Sequence, residues 1–402
     1  MTINIVDAGC GIGKTTALIN KINNDNTEQK YIYITPFLSE VERIKKACSK
    51  KNFISPEEEF KTKLENLSKL IEQKENIITT HALFKKINSD KISIESLKDY
   101  ILIMDEVADI VDELNISKSD LKLLSNKVSV HPRTHMVEWN DSEYKGKFDD
   151  YKKMIQMNSI FAYVDKNDKI VSMMWLFPYK IFQAFKQIFI LTYMFDGQIQ
   201  KKYFDYFGAK YAKWYIKDFQ LTTTPQQYDY RNIKSLINVC NNKKLNEIGD
   251  KYTALSISWF NRNKRSSEMI KLQNNIRSFF RTYTKTSGEE ILWTTFKEYR
   301  SNLKRNGFAK SFAPINSRAT NIYSNKTAIA YIGNRFFKPT VKNFFIFNNI
   351  PANKDFEDKF ALSELIQFVF RSAIRQKKPI DVYIPSKRMR ELFIKWLKKP
   401  NV

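Results

Sequence analysis

The amino-acid sequence predicts an α/β protein with two parallel-sheet domains. The 402 residues are enough for two domains of roughly 150–200 residues each. Short apolar segments alternate with amphipathic helical segments, the pattern of a parallel sheet with helices on both faces. A glycine-rich segment, residues 8–13, joins the first predicted strand to the first predicted helix. With 43% hydrophobic and 14% aromatic residues, the composition is that of a folded chain with packed cores.

The first half of the chain carries most of this alternation. One predicted helix starts near Lys14, and two others cover residues 37–46 and 57–75. The predicted strands between and after them are residues 2–6, 31–34, 77–80, 100–104 and 187–191. We assign residues 1–200 to the first domain. Between residues 112 and 186 the pattern loosens, and we expect an accessory insertion there. Two apolar segments, 159–164 and 169–176, flank an Asp-Lys-Asn-Asp turn and predict a β-hairpin within it.

A second α/β pattern occupies residues 251–402, after a connecting region at residues 201–250. Its predicted helices are residues 266–283, 297–306, 362–375 and 387–398. Its predicted strands are residues 290–294, 311–313, 327–331, 343–346 and 381–384. The aromatic and basic run from Tyr203 to Tyr230, with Trp214, allows two interpretations. These side chains pack at a domain junction, which we favour, or they stack on bases.

The charge of the chain is strongly positive. It has 67 Lys and Arg against 43 Asp and Glu, a formal net charge of +24. A large basic excess attracts polyanions and speeds their capture. Codon bias toward Lys, Asn and Ile is the alternative explanation, but the same bias would also enrich Glu. Nucleic acid is therefore the expected partner, ahead of membrane surfaces and acidic proteins. The basic cluster of Lys387, Arg388 and Arg390 either contacts phosphates or forms a solvated face.

Cysteine and histidine offer no metal or disulfide chemistry. Cys10, Cys48 and Cys240 are too scattered for a zinc site or a disulfide framework. His131 and His135 are expected to be solvated loop residues, since Pro132 between them breaks a shared helical face. We expect neither a signal peptide nor a membrane span, and therefore a cytoplasmic protein, in the host cytoplasm if the chain is phage-encoded.

Residues 8–15, Ala-Gly-Cys-Gly-Ile-Gly-Lys-Thr, form a phosphate-binding loop between a strand and a helix. Glycines let backbone N–H groups approach phosphates, and the helix N-terminus favours negative charge. Lys14 would reach the β- and γ-phosphates of ATP, and Thr15 would hold Mg²⁺. Ala8 stands where the general pattern has its first glycine. The expected nucleotide-binding residues are Gly9, Gly11, Gly13, Lys14, Thr15 and Thr16.

Two carboxylates follow the apolar segment Ile-Leu-Ile-Met at residues 101–104. Asp105 and Glu106 would therefore lie at the carboxyl edge of the sheet, beside the phosphate loop. Asp105 would complete the Mg²⁺ site with Thr15. Glu106 would position or deprotonate the attacking water. The pair therefore predicts ATP hydrolysis.

These two segments resemble motifs I and II of superfamily-two (DEAD/DEAH-like) helicases, and the chain as a whole resembles a small phage-type member. The resemblance implies two RecA-like domains with ATP in the cleft between them. Other segments resemble later motifs in the family's order: residues 34–36 motif Ia, 78–81 motif Ib, 191–195 motif III, 291–296 motif IV and 317–321 motif V. The resemblance implies contacts to the nucleic-acid backbone from Thr35, Pro36, Thr80, Thr320 and Asn321.

Gln367, Arg371 and Arg375 resemble motif VI. Phe370 stands in place of the family's glycine, and the two arginines are one residue further apart. On the predicted helix 362–375, residues four apart share a face, so that both guanidinium groups could reach one phosphate. The resemblance gives these three residues catalytic roles together with Lys14 and Glu106.

The sequence therefore favours an ATP-dependent helicase or translocase that uses ATP and Mg²⁺. Single-stranded or forked DNA is favoured over RNA, with replication or recombination proteins as possible partners and no membrane. Two alternatives remain open. One is a motor of the packaging-terminase type, which would need clustered carboxylates for a nuclease. The other is an ATP-gated clamp or inhibitor that hydrolyses ATP slowly.

Overall fold

The computed structural model describes residues 1–57, 62–88, 92–315 and 322–399. The longer strands have the predicted apolar, buried character, and the first helix begins directly after the glycine-rich loop. The strands are β1 (Thr2–Asp7), β2 (Lys30–Thr35), β3 (Ile77–Thr80), β4 (Tyr100–Asp105), β5 (Val111–Glu113), β6 (Val128–Val130), β7 (Val137–Trp139), β8 (Ile160–Val164), β9 (Ile170–Leu176), β10 (Gln187–Thr192), β11 (Lys210–Lys217), β12 (Gln220–Thr222), β13 (Ile237–Val239), β14 (Ile291–Thr294), β15 (Ala328–Tyr331) and β16 (Ile380–Tyr383).

Most helices are short, and several begin with a side-chain cap from Ser, Thr or Asn. The helices are α1 (Lys14–Asn23), α2 (Leu38–Ala47), α3 (Lys63–Glu72), α4 (His81–Phe84), α5 (Lys118–Ser125), α6 (Asp149–Gln156), α7 (Tyr179–Ala184), α8 (Ile199–Tyr206), α9 (Arg231–Lys234), α10 (Lys243–Asn246), α11 (Ile257–Asn263), α12 (Ser267–Ser278), α13 (Arg300–Leu303), α14 (Pro339–Phe347), α15 (Lys354–Val369) and α16 (Lys387–Leu397). Among the described residues, no helix is both long and apolar enough to span a membrane.

The chain forms two compact units. The first consists of residues 1–8, 13–225 and 337–353, and the second of residues 9–12, 226–336 and the described residues from 354 onward. Within the first unit, the described strands include a seven-stranded sheet in the order β12-β11-β1-β10-β4-β2-β3. Its pairs are parallel except β11 with β12. The carboxyl ends of β1, β10 and β4 therefore lie side by side, which brings the loops after them together.

The connecting region expected at residues 201–250 contributes to both units. Residues 210–217 form β11, which pairs in parallel with β1 and so extends the first sheet. Tyr203 is fully buried in α8. Trp214 packs against Phe189 and donates from Nε1 to Asn4 Oδ1 at 2.9 Å. At these two positions the side chains therefore pack, as the favoured interpretation expects, but they pack within the first unit and not at a domain junction.

The insertion between β4 and β10 has a small core of its own. Its described strands form the antiparallel sheet β5-β9-β8 and the hairpin β6-β7. The predicted hairpin is present as β8 and β9. Helices α5 and α6 complete the packing around a buried apolar cluster. That cluster consists of Leu124, Val128, Val137, Phe148, Ile155, Ile160, Ala162, Val164 and Met173.

Helix α14 packs against this insertion, although it lies far along the chain. Thr340 Oγ1 donates to Glu113 Oε2 at 2.6 Å. The His135 ring packs against that of Phe347 with the centroids 4.6 Å apart. Its Nδ1 lies 2.8 Å from Asn348 Oδ1, so the expectation of a solvated His135 was wrong. The strand predicted at residues 343–346 was also wrong. Pro at the first helical position and burial at 3–4 residue spacing make this segment a helix.

The second unit has a four-stranded sheet among the described strands, in the order β13-β16-β15-β14, and every pair is parallel. β13 was not predicted, because three residues give too little pattern. The strand predicted at residues 311–313 is reduced to one bridge between Phe312 and Trp293. The helix predicted at 362–375 was wrong at its carboxyl end, since α15 stops at Val369.

Candidate nucleotide-binding site

The phosphate loop has the backbone geometry that its glycines allow. β1 ends at Asp7 and α1 begins at Lys14. Gly11 and Gly13 adopt φ values of 84° and 90°, a region that residues with a Cβ rarely adopt. Gly13, directly before α1, has no side chain that could cap the first turn, and the N-terminus of a helix favours an anion. Lys14 Nζ donates to Ala8 O at 2.6 Å, and Thr16 is exposed on the first turn.

Thr15 and Asp105 meet, although 90 residues separate them. Thr15 Oγ1 donates to Asp105 Oδ2 at 3.2 Å. Tyr33 Oη donates to the same oxygen at 3.0 Å. A hydroxyl and a carboxylate in contact are the hard oxygen ligands that Mg²⁺ prefers. The residues therefore fit the predicted magnesium site.

Burial changes the acidity of this carboxyl group. Asp105 is only 7% exposed, and burial, followed by the nearby charge of Glu106, raises the pKa of Asp105 to about 6. The hydrogen bonds from Tyr33 and Thr15 and the charge of Lys14 act in the opposite direction. A divalent cation at this position would favour the ionised form.

Glu106 is held by its backbone and leaves its side chain available. Its φ is 68°, a strained value for a residue with a Cβ. Its N–H donates to Leu191 O at 2.9 Å, which fixes this turn to the end of β10. Glu106 Oε2 is buried and has no hydrogen-bond partner within the described residues. A buried carboxylate oxygen without a partner is costly, so it marks a position where a polar ligand or water is expected.

The end of β10 joins the two sequence motifs. Ala8 N donates to Thr192 O at 3.2 Å. Met194 N and Phe195 N donate to the Asp7 carboxylate at 2.7 and 2.9 Å. Sequence reasoning did not single out Asp7 or Tyr33. A charged residue that ends an apolar strand directly before the loop was a usable signal for Asp7, whereas nothing local distinguishes Tyr33 from other strand tyrosines.

The residues expected at the nucleic-acid backbone have different environments. Thr35 is fully buried, so its side chain cannot take the expected contact, while Pro36 beside it is partly exposed. Thr80 Oγ1 accepts from Leu83 N at 3.3 Å and caps α4. Thr320 and Asn321, with the rest of the predicted motif V, lie outside the described residues.

The predicted motif VI is not one helical face. Gln367 lies on α15, but the chain leaves the helix after Val369, and Ser372 caps a separate turn of 3₁₀ helix at Ala373–Gln376. Arg371 is only 5% exposed and donates to Ile315 O at 3.4 Å. Arg375 is exposed on the 3₁₀ turn. The prediction of a shared helical face was therefore wrong, and the two arginines have different environments.

The basic cluster near the carboxyl end is not a uniform solvated face. Arg388 is buried; its guanidinium contacts Asp358 Oδ1 at 2.6 Å and Asn334 Oδ1 at 2.9 Å. Arg390 donates to Ile384 O and Pro385 O, both at 2.8 Å. Lys387 is exposed. Of these three cations, Lys387 is the one that the structure leaves accessible to a phosphate.

Family comparisons match both the second unit and the insertion. The model of the YonV C-terminal Rossmann-like domain matches residues 231–397, and that of the YonV middle domain matches residues 111–175. The chain is 38% identical over 417 residues to the SPbeta prophage-derived protein YonV of Bacillus subtilis (strain 168), an alignment that covers 98% of each protein. This prophage origin agrees with the expected kinship to phage-type proteins.

Solved structures share the fold. A structure named XPD_APO has a TM-score of 0.53 at 12% identity, with 98% of this chain and 95% of that chain covered. A structure named XPD_Helicase has a TM-score of 0.45 at 11% identity, with 98% and 94% covered. The first of these, with the Rossmann-like match and the parallel sheets, confirms the predicted α/β fold with RecA-like domains.

Proposed function

The chain belongs to the YonV family, and from that premise we propose that it is an ATP-hydrolysing motor that moves on nucleic acid. One observation carries the proposal. The phosphate loop and the Asp105-Glu106 pair, distant in sequence, form one site in which Thr15 contacts Asp105. Packing alone requires neither a hydroxyl beside a buried carboxylate nor a buried carboxylate oxygen without a partner in the described chain.

Each residue of this site has a separate task. The α1 N-terminus and Lys14 would hold the ATP phosphates. Thr15 and Asp105 would hold Mg²⁺, which supplies positive charge to the phosphate oxygens. Glu106, fixed through its N–H to Leu191 O, would orient a water molecule and accept its proton. Asp7 would hold the turn after β10 in place, as a positioning residue.

We propose nucleic acid as the polymer on which the motor moves, because of the charge and the fold of the chain. The net charge is +24, which favours contact with a polyanion. The fold shared with XPD_APO and the motifs that resemble those of superfamily-two helicases add this chemistry only by analogy. We favour single-stranded or forked DNA. Pro36 and Lys387 are accessible candidates for backbone contacts. Thr320 and Asn321 are proposed only because they resemble motif V.

We also propose that the second unit supplies a cation to the nucleotide when the two units close on it. Arg375 is the better candidate, because it is exposed and because the guanidinium of Arg371 is buried against Ile315 O. Gln367 would act with it. The mechanism needs closure to assemble the site and hydrolysis to reopen it.

An ATPase assay with and without single-stranded DNA, duplex DNA and RNA tests the proposal. We expect Mg²⁺-dependent turnover that a nucleic acid stimulates. Lys14→Ala should abolish turnover with the fold intact, and Glu106→Gln should bind ATP without hydrolysing it. The exposed Lys213→Ala on β11 serves as a charge control for Lys14→Ala and should retain turnover.

The outcomes separate the proposal from its alternatives. Normal turnover in folded Lys14→Ala protein would remove the phosphate loop from the mechanism. Slow ATP hydrolysis that no nucleic acid stimulates would instead indicate an ATP-gated clamp. Cleavage of plasmid DNA would indicate a terminase-type motor, although the described residues contain no group of three His, Cys, Asp or Glu side chains that could hold a metal ion.

A further inference from the structure

Phe219 is an exposed aromatic residue at the edge of the phosphate loop. It lies at the tip of the β11–β12 hairpin, in the two-residue turn between the paired residues Lys217 and Gln220. Its side chain is 56% exposed. A Cβ added to Gly13 would lie 2.7 Å from Phe219 Cδ1, so the edge of the ring is directly against the last residue of the loop.

The backbone that holds this ring in place has a strained conformation. Asp218 and Phe219 have φ values of 50° and 56°, as in a type I′ turn, where glycine is preferred at the second position. A bulky side chain at positive φ is unusual. Asn20 Nδ2 donates to Phe219 O at 3.0 Å, which ties the turn to α1. A strained, anchored aromatic side chain with most of its surface in solvent calls for an explanation beyond hairpin formation.

The sheet order gives the direction in which a bound nucleotide would extend. Asp105 is the last residue of β4, and β10 lies between β4 and β1 in the sheet. The hairpin lies on the opposite side of β1. Mg²⁺ contacts the β- and γ-phosphates, so Thr15 and Asp105 mark the terminal phosphate end. The ribose and base would therefore extend away from Asp105, toward the hairpin and Phe219.

We propose that Phe219 is the residue that stacks on the base of the nucleoside triphosphate. The inference rests on the proposed function, since it concerns the same site. A phenyl ring offers a π-face and no hydrogen-bonding group, so stacking favours the larger purine bases without separating adenine from guanine. The site is therefore assigned to purine nucleoside triphosphates, with ATP and GTP bound more tightly than CTP and UTP.

The test compares Mg²⁺-dependent binding of ATP, GTP, CTP and inorganic tripolyphosphate to the full chain by calorimetry. Phe219→Asn removes the ring, and asparagine tolerates positive φ, so the turn should persist. It should weaken ATP binding by about 5- to 100-fold and leave tripolyphosphate binding unchanged. Phe219→Trp should retain the affinity for ATP. The control, Leu123→Asn, changes a similarly exposed apolar side chain, 57% exposed on α5, and should bind ATP like the wild type.

Each outcome has a distinct meaning. The inference is supported if Phe219→Asn loses affinity for the nucleoside triphosphates alone and Phe219→Trp keeps its affinity for ATP. Equal ATP affinity in Phe219→Asn and in the wild type overturns the inference. A wild type that binds CTP as tightly as ATP also overturns it. In both cases the proposed function stands. A wild type that binds neither ATP nor tripolyphosphate overturns the proposed function itself.

Discussion

The carboxylate of Asp7 accepts a hydrogen bond from the backbone N–H of Met194 at 2.7 Å. This bond joins the residue before the phosphate loop to the turn after β10. Met194 has a φ of 56°, which a non-glycine residue rarely adopts. Glu106 N donates to Leu191 O near the end of the same strand, and Leu191 pairs with Asp105. β10 therefore connects the loop to Asp105 and Glu106.

We therefore predict that Asp7→Ala lowers ATP turnover more than ATP affinity. The change removes the acceptor for Met194 N and Phe195 N and relaxes the strained turn. Stability should fall by about 1–3 kcal/mol, because two backbone N–H groups lose their acceptor. Steady-state kinetics and thermal unfolding measure both effects. Asp7→Asn, which keeps one acceptor oxygen, should be milder; kinetics identical to wild type in Asp7→Ala would refute the positioning role.

A second prediction concerns Asp105 and pH. Its pKa is raised to about 6 in the folded protein, above the unfolded value of about 3.9. The stabilisation from its protonation is therefore fully present below about pH 4 and is lost as pH rises through about 6. In Mg²⁺-free solution at pH 8 the ionised, buried carboxylate should be destabilising. Asp105→Asn should then be more stable than wild type by up to about 3 kcal/mol and inactive.

Thermal unfolding of both proteins at pH 5 and pH 8 checks this. The advantage of Asp105→Asn should shrink at pH 5, where the wild-type carboxyl is largely protonated. Asp99→Asn, which removes an exposed carboxylate that pairs with Lys74, should show no such advantage. A variant less stable than wild type at pH 8 would mean that the hydrogen bonds from Thr15 and Tyr33 outweigh the cost of burial.

Local signals account for what the sequence predicted well. The phosphate loop and the Asp105-Glu106 pair each combine a buried strand with an adjacent motif, so both their structure and their position at the sheet edge follow from nearby residues. Helix α14 shows the limit of such reasoning. Its apolar residues 344–347 resemble a buried strand, whereas Pro339 and the packing of Phe347 against His135 and Tyr163 of the insertion make it a helix.

Long-range contacts explain the other differences. β11 mixes aromatic and basic residues, and only its pairing with β1 places it in the first sheet. The end of α15 depends on Ser372, whose Oγ accepts from Ile374 N and starts a new turn. Phe219 was not singled out, because its proximity to Gly13 follows from the hairpin's position rather than from sequence spacing.

A third prediction concerns binding to nucleic acid. Contacts to the phosphate backbone carry no direct sequence information, so affinity should vary little with sequence. If several phosphates are contacted, affinity should fall by about 10³-fold or more between about 50 and about 200 mM salt. Fluorescence polarisation with unrelated oligonucleotides measures both properties. Salt-insensitive binding, or strong preference for one sequence, would contradict a backbone-tracking motor.

The last prediction separates the two arginines of the second unit. Arg371 is buried and donates to Ile315 O, so Arg371→Ala should lower stability by about 2–4 kcal/mol through lost packing and an unpaired carbonyl. Arg375 is exposed, and Arg375→Ala should change stability by less than about 0.5 kcal/mol. If Arg375 reaches the nucleotide, its loss should reduce stimulated turnover by about 10³-fold or more and ATP affinity by less than about tenfold.

Two further variants make this test specific for the arginine side chain. Arg375→Lys should not restore turnover, because an ammonium group lacks the planar fork that engages two phosphate oxygens. Lys377→Ala, two residues further on and also exposed, removes a charge from the same region and should retain activity. Thermal unfolding and nucleic-acid-stimulated ATPase assays on the same preparations separate folding from catalysis. Full stimulated activity in Arg375→Ala would make this turn a basic surface, and another cation would then have to contact the γ-phosphate.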